Sequence, residues 1–145
     1  TEQPNSREEP ALSSVLLRHD VPNKPAHLDW MLERHRDSEA GSLVDDDDPR
    51  LITFRLGAGT DPLRDDAFTA HRIGDHRAIY LHKQGDIGGG RGRVARLWRA
   101  DLLELRERDG EIAAAIERGG LLVYLLGHRV GADLWRFVIE ADSAI

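Results

Sequence analysis

The sequence predicts a mainly β protein, a small antiparallel β-barrel with one or two short peripheral helices. Apolar residues recur at alternate positions in short segments, as in 27–34, where Leu28, Trp30 and Leu32 occupy alternate positions. Turns rich in glycine, proline or acidic residues separate these segments at short intervals. This pattern favours antiparallel pairing over a parallel sheet with crossover helices.

Seven or eight strands are expected from short apolar runs or alternation. The segments are 13–19, 27–34, 51–56, 68–73, 78–82, 93–99, 121–126 and 134–140. A polar, acidic loop over 35–49 separates the second from the third. The pair 68–73 and 78–82 flanks a predicted turn at Gly74-Asp75, and 102–106 either continues 93–99 or pairs with it. The last two segments form a hairpin around 127–133.

Helical structure is expected at two places. Segment 111–118 is rich in alanine and is followed by Gly119-Gly120, which is typical of a short helix with a glycine cap. Segment 60–63 offers a capping residue and a proline near a first-turn position, which indicates a short helical turn.

A single domain is expected from the length of 145 residues. Residues 1–12 are predicted to be a disordered acidic and polar tail, and 13–145 one barrel domain. No run approaches the roughly 20 apolar residues of a membrane span, and no signal pattern is visible. The absence of cysteine excludes disulfides, thiolate zinc sites and cysteine nucleophiles. A cytoplasmic monomer without a membrane partner is therefore expected.

Charge is distributed unevenly along the chain, whose formal net charge is −6. Residues 1–48 hold twelve acidic and five basic side chains, whereas 64–99 hold eight basic and four acidic ones. A locally basic surface on an acidic protein can bind phosphates in a salt-dependent way, although such runs are commonly solvated surface.

The strongest chemical pattern is a set of metal-type ligands. His27 and Asp29 stand two apart on a predicted strand, so both project from the face opposite Leu28. An imidazole and a carboxylate side by side form two corners of a divalent-metal site. His19 supplies a third ligand if its strand pairs with the next one across the turn at 22–25.

Two further segments carry functional alternatives. His76 and Tyr80 stand four apart, where an imidazole can act as general acid and a phenol can bind a phosphate oxygen. The glycines of 88–92 lack the lysine and helix of a P-loop. They indicate either a tight bend or a close approach of backbone N–H groups to a phosphate, aided by Arg91 and Arg93.

The order of these motifs resembles the 3′-phosphoesterase domain of bacterial DNA ligase D and its stand-alone relatives. The matching segments are Leu17-Arg18-His19-Asp20, His27-Leu28-Asp29-Trp30-Met31-Leu32-Glu33, Asp75-His76-Arg77-Ala78-Ile79-Tyr80, Gly85-Asp86-Ile87-Gly88-Gly89-Gly90-Arg91-Gly92, and the closing hairpin over 127–138. The similarity runs from about residue 15 to residue 140.

The resemblance implies a small β-barrel that holds a divalent ion through His19, His27 and Asp29. Mn²⁺ is the expected ion, with Zn²⁺ and Co²⁺ as alternatives. His76 and Tyr80 would contact the scissile phosphate. The implied activity is removal of a terminal ribonucleoside and then the 3′-phosphate from DNA ends during repair by end joining, with a separate DNA ligase as a candidate partner.

Two arginines of that family are replaced here. The position two residues after the aspartate is Met31, and a second phosphate-binding arginine falls at Phe68. Arg55, Arg64 or Arg72 would have to substitute, and Arg55, Arg72, Arg91 and Arg93 are the residues predicted to bind phosphate or nucleic acid. The alternatives are a DNA-end-binding module without turnover, a phosphoesterase that acts on RNA ends or small nucleotides, and a metal-free structural barrel.

Overall fold

The computed structural model describes residues 11–34 and 46–140. Most of the predicted tail and most of the predicted loop at 35–49 lie outside these residues. The strands of this part of the chain are β1 (Leu12–Asp20), β2 (His27–Glu33), β3 (Leu51–Leu56), β4 (Ala67–His76), β5 (Gly85–Asp86), β6 (Arg93–Arg108), β7 (Glu111–Arg118), β8 (Leu121–Arg129) and β9 (Leu134–Glu140). A 3₁₀ turn spans Ala78–Leu81.

One antiparallel sheet contains all nine strands and closes into a ring. The order is β1-β2-β3-β4-β9-β8-β7-β6-β5, and β1 also pairs with β6. The first half of the 16-residue strand β6 pairs with β1 and its second half with β7, so β6 joins the two sides of the ring. The predicted antiparallel, mainly β architecture is confirmed.

The interior of the closed sheet is apolar and rich in aromatic side chains. The central aromatic residues are Trp30, Phe54, Phe68, Trp135 and Phe137. Trp30 and Phe137 meet edge to face with ring centroids 5.1 Å apart, a favourable arrangement of aromatic quadrupoles. The indole N–H of Trp30 donates to the hydroxyl of Ser14 at 2.9 Å, so the core leaves this buried donor satisfied.

Strand β7 corrects the helix predicted for 111–118. Ile112, Ala114 and Ile116 alternate inward at 4% exposure or less, which is the period of a strand. Gly119 and Gly120 form the two-residue loop to β8, both with positive φ, as a type I′ hairpin turn requires. The glycine pair predicted as a helix cap therefore marks a hairpin, and pairing on both sides outweighs the helix propensity of alanine.

Two other local predictions also change. Strand β4 continues through the predicted Gly74-Asp75 turn, with a register shift against β3. Segment 78–82, predicted as a strand, contains the 3₁₀ turn, because Tyr80 and Leu81 pack on a face of the sheet rather than pair along its edge. The helical turn predicted at 60–63 forms as a single turn, in which the carbonyl of Asp61 accepts the N–H groups of Arg64 and Asp65 at 2.9 and 2.8 Å.

A second apolar cluster lies on the outside of the ring. It consists of Val15, Leu17, Met31 and Leu51, here called the outer patch, and all four are at most 1% exposed. The 3₁₀ turn covers it, because Tyr80 and Leu81 pack against these side chains. The sheet is therefore buried on both faces at β1–β3, which fixes the 3₁₀ turn against the outer face.

Within the described residues, no helix has the length and apolar character needed to cross a membrane.

Candidate metal and phosphate site

The first two strands bring the three predicted metal ligands together. Register pairs His19 with His27 and Leu17 with Asp29, so these side chains share the outer face of the sheet. The predicted pairing across the turn at 22–25 is confirmed. The cluster lies at the end of the β1–β2 hairpin, beside the outer patch.

Ligand atoms of the three residues lie within 4.8 Å of one another. Oδ2 of Asp29 is 3.5 Å from Nε2 of His27 and 4.0 Å from Nδ1 of His19. The two imidazoles meet at a ring-centroid distance of 4.9 Å and an angle of 73°. Two nitrogens and one carboxylate oxygen therefore surround a common point, which leaves further positions open for water or substrate.

His19 is oriented by a backbone carbonyl. Its Nε2 lies 2.9 Å from the carbonyl oxygen of Arg91, an atom that can only accept a hydrogen bond. Nε2 therefore carries a proton, and in the neutral ring Nδ1 presents its lone pair to Asp29. Metal-binding histidines are commonly held in this way, with the second ring nitrogen bonded to a carbonyl or carboxylate.

His27 is the least satisfied polar side chain of the site. Its Nε2 is buried and has no hydrogen-bond partner among the described residues. Burial lowers the pKa of His27, and the nearby Arg55 and His19 lower it further against the opposing attraction of Asp29. The neutral imidazole is thus favoured, with a lone pair directed into the cluster. A buried nitrogen without a partner calls for an explanation, and a bound cation is one.

Asp29 is bound from its other side by Arg55. Nε of Arg55 lies 3.3 Å from Oδ1 of Asp29, and the two residues pair across β2 and β3. Asp29 is 5% exposed at its side chain, whereas Arg55 is 44% exposed. Part of the guanidinium therefore faces solvent beside the cluster, where it can donate to an anion.

His76 and Tyr80 form a second pair on the same outer face. Their rings meet edge to face with centroids 5.5 Å apart. Nδ1 of His76 lies 2.9 Å from the carbonyl oxygen of Gly74, which orients the ring. Tyr80 packs on the outer patch, whose Met31 and Leu17 directly adjoin Asp29 along β2 and across β1. The pair therefore lies beside the outer patch, whose Met31 and Leu17 stand between it and the cluster.

Arg91 lies beside the cluster, whereas Arg93 projects from the other face of the sheet. Strand β6 pairs Val94 with His19 and Arg93 with Asp20, so Val94 shares the outer face with His19 and Arg93 faces the opposite side. The guanidinium of Arg91 bonds to the carbonyls of Gly88 and Ile87 at 3.1 and 2.6 Å, so it closes its own loop. Both side chains are exposed, but the sheet does not bring Arg93 to the cluster.

Arg72 lies on the opposite face of the sheet. It pairs with the inward-facing Phe54, and its guanidinium sits 5.8 Å from that ring centroid and 5.9 Å from that of Trp135. Its NH2 donates to Glu107 at 3.2 Å. The structure thus does not bring Arg72 to the cluster, unlike Arg55 on the neighbouring strand.

The ionic network around Arg72 gives a testable pH dependence. Arg34 holds Glu107 through two hydrogen bonds of 3.0 and 2.9 Å, and these bonds lower the pKa of Glu107 below its ordinary value of 4.5. A lowered pKa in the folded state stabilises the protein above pH 4.5, and this contribution disappears as pH falls through the folded-state pKa. We expect Glu107→Gln to lower the free energy of unfolding by about 0.5–1 kcal/mol at pH 7, discounted for partial exposure.

Urea unfolding at pH 7 and pH 3 measures this effect, and the difference from wild type should shrink at pH 3. Glu104→Gln removes the same charge from the same strand, where the exposed carboxylate makes a 3.8 Å contact with the exposed Arg106. An equal loss in both variants, or a loss that does not change with pH, would show that the paired carboxylate is not the cause.

Arg77 is the site residue that the sequence predictions missed. Its guanidinium lies 5.9 Å from the ring centroid of Tyr80 and donates to Oδ1 of Asp47 at 3.1 Å. Hydrogen bonding to Tyr80 first, and to Asp47 second, raises the pKa of Arg77. The sequence signal that could have identified Arg77 is its position next to His76, within the segment 75–80 that carries His76 and Tyr80.

Comparison with protein-family models and with curated proteins gives no match to this chain.

Proposed function

We propose that this protein is a divalent-metal-dependent phosphoesterase that removes a 3′-terminal ribonucleoside or 3′-phosphate from DNA ends in repair. One observation carries the proposal. Ligand atoms of His19, His27 and Asp29 converge on the outer face of the sheet, and the buried Nε2 of His27 has no hydrogen-bond partner among the described residues. The reaction and the substrate of the proposal are taken from the similarity of the sequence motifs to the ligase D phosphoesterase domain.

The residues present fit a divalent ion. His19 would offer Nδ1, His27 Nε2 and Asp29 Oδ2, a nitrogen-rich set with one oxygen that suits Mn²⁺, Co²⁺ or Zn²⁺ rather than Ca²⁺. Both anchoring contacts of such a site are present, since Arg91 binds the far nitrogen of His19 and Arg55 the far oxygen of Asp29. A bound ion supplies Lewis-acid polarisation of a phosphoryl oxygen and a more acidic water.

The side chains around the cluster would bind and orient the phosphate. Nε of Arg55 contacts Asp29, and the side chain is 44% exposed to solvent. The guanidinium can therefore donate to a phosphate oxygen while it still contacts Asp29. Tyr80 can donate its hydroxyl to a second oxygen. In its imidazolium form, His76 would keep Nδ1–H bonded to the carbonyl of Gly74 and could transfer the proton of Nε2 to the leaving oxygen, which leaves the neutral ring.

A DNA backbone would be bound by basic side chains beside the site. Arg91 is exposed next to His19, and Arg93 is exposed at the end of β6 that pairs with β1. Such contacts position the strand without reading its sequence. Their electrostatic contribution predicts affinity that falls steeply with salt.

The test uses a primer–template duplex that ends in a 3′-ribonucleotide or a 3′-phosphate, incubated with the protein and Mn²⁺ at low salt. We expect a 3′-hydroxyl product with wild type and at least a 100-fold loss of rate, an order-of-magnitude expectation for removing a metal ligand, with His27→Ala or EDTA. Calorimetric titration with Mn²⁺ should show the matching loss of metal affinity.

His128→Ala is the matched control, because His128 is an exposed histidine at the far end of β8, 3.8 Å from Glu111. It should retain both activity and Mn²⁺ affinity. Metal-dependent DNA binding without product would overturn the catalytic proposal and leave an end-binding module. Turnover of mononucleotides but not of duplex ends would instead favour a small-nucleotide substrate.

A further inference from the structure

A short acidic segment lies on the outer face beside Tyr80. It comprises Asp46, Asp47 and Asp48, here called the acidic strap. Two backbone bonds hold it to the 3₁₀ turn: the N–H of Ala78 donates to the carbonyl of Asp48 at 2.9 Å, and that of Ile79 to Asp46 at 3.0 Å. The strap is therefore fixed in place independently of its side chains.

Each carboxylate of the strap contacts a cation or an imidazole. Oδ1 of Asp47 accepts from Arg77 at 3.1 Å, and Oδ1 of Asp46 lies 3.3 Å from Nε2 of His82. Oδ2 of Asp48 lies 3.4 Å from the guanidinium of Arg50. Arg77 and His82 are 47% and 60% exposed, so these two donors lie at the protein surface.

The donors form a surface suited to phosphate. Arg77 also contacts Tyr80, the predicted phosphate ligand, so the same guanidinium lies between that hydroxyl and the strap. The carboxylate oxygens of Asp47 and Asp46 therefore occupy the positions at which the anionic oxygens of a phosphate would meet Arg77 and His82.

We propose that Arg77, Tyr80 and His82 form a backbone-binding site for the nucleic-acid strand next to its 3′ end, and that the acidic strap occupies this site in the free protein. The proposal rests on the proposed function, since it extends the phosphate path away from the metal ligands. The strand displaces the carboxylates of Asp46 and Asp47 from Arg77 and His82, while the backbone bonds to Ala78 and Ile79 remain. The strap thus weakens binding and favours strands long enough to compete with it.

The test compares wild type with the double variant Asp46→Asn/Asp47→Asn, which keeps the backbone bonds and the size of both side chains. A fluorescent primer–template duplex is titrated in about 0.1 M salt, where charges more than about 10 Å apart are largely screened. We expect the variant to bind roughly three- to tenfold more tightly, because the carboxylates of Asp46 and Asp47 no longer compete for His82 and Arg77. A further Arg77→Ala substitution should abolish this gain.

Asp109→Asn/Glu111→Gln is the matched control. These carboxylates also face one arginine and one histidine, Arg129 and His128, but lie at the opposite end of β6. The control should change affinity by less than about twofold at this salt concentration. Equal melting temperatures for all variants would exclude an effect through folding.

Each other outcome overturns the strap proposal. An unchanged or weaker affinity in Asp46→Asn/Asp47→Asn means that the strap does not compete, and an equal gain in the control means that general repulsion is the cause. If no variant binds DNA, the site does not exist. The phosphoesterase proposal is judged separately, because release of a 3′-hydroxyl by wild type with Mn²⁺ would uphold it in any of these cases.

Discussion

Met31→Arg is expected to destabilise the protein by about 3 kcal/mol or more and to give no gain in phosphate binding. The substitution introduces the residue type that the ligase D phosphoesterase domains carry at this position. Met31 is 1% exposed and packs with Val15, Leu17 and Leu51. A guanidinium there would be buried in an apolar cluster, and the two carboxylates beside it on the same face of β2, Asp29 and Glu33, already bind Arg55 and Arg50.

Urea unfolding of Met31→Arg and Met31→Leu measures this effect. Leucine conserves volume and apolar character, so we expect that variant to lose less than about 1.5 kcal/mol. The Mn²⁺-dependent release of 3′-hydroxyl ends should stay near wild type in Met31→Leu and fall in Met31→Arg. A stable Met31→Arg variant with faster turnover would show that the outer patch opens to the substrate and would contradict this interpretation of Met31.

Because Met31 is buried, a bound phosphate would have to be contacted by neighbouring basic side chains. Arg55 pairs directly with Asp29 from the adjacent strand and keeps part of its guanidinium in solvent. Met31 instead supports Tyr80, since both belong to the outer patch and its cover. We infer that the methionine holds the 3₁₀ turn in place and that Arg55 and Arg77 supply the positive charge.

The convergence of His19, His27 and Asp29 could be predicted from sequence because it depends on nearly local geometry. Alternation along 27–34 places His27 and Asp29 on one face, and a hairpin needs only one more pairing to add His19. Arg55 and Arg72 could not be separated in the same way. Their faces depend on the register of β3 and β4, which turns Arg55 outward and pairs Arg72 with the inward-facing Phe54.

The errors in secondary structure have a common physical cause. Segment 111–118 has local helix propensity, but β6 and β8 pair with it on both sides and bury Ile112 and Ile116. Segment 78–82 is apolar enough for a strand, yet Tyr80 and Leu81 pack on the outer patch. In both segments long-range contacts decide the outcome, and a single sequence window does not contain them.

Gly92→Ala is expected to have the second large effect, on stability and on metal affinity together. Gly92 has a φ of 102°, and a Cβ at this position would collide with the carbonyl oxygen of Asp20. To remove this collision, the glycine-rich loop over 88–92 would have to move away from Asp20 at the end of β1. The preceding residue, Arg91, provides the carbonyl that binds Nε2 of His19, so the same movement releases this metal ligand.

We expect Gly92→Ala to lower the free energy of unfolding by roughly 2–4 kcal/mol and Mn²⁺ affinity by about 10- to 100-fold. Gly90→Ala is the matched control, because Gly90 also has a positive φ, 70°, but has no atom within 4 Å of the added Cβ. It should lose only about 1–2 kcal/mol, the cost of a left-handed conformation, and keep its Mn²⁺ affinity. Calorimetric Mn²⁺ titration at a temperature where both variants are folded separates the two effects. Equal Mn²⁺ affinities would show that the glycine loop does not orient His19, whereas a loss confined to Gly92→Ala means that the contact with Asp20 couples the loop to the metal site.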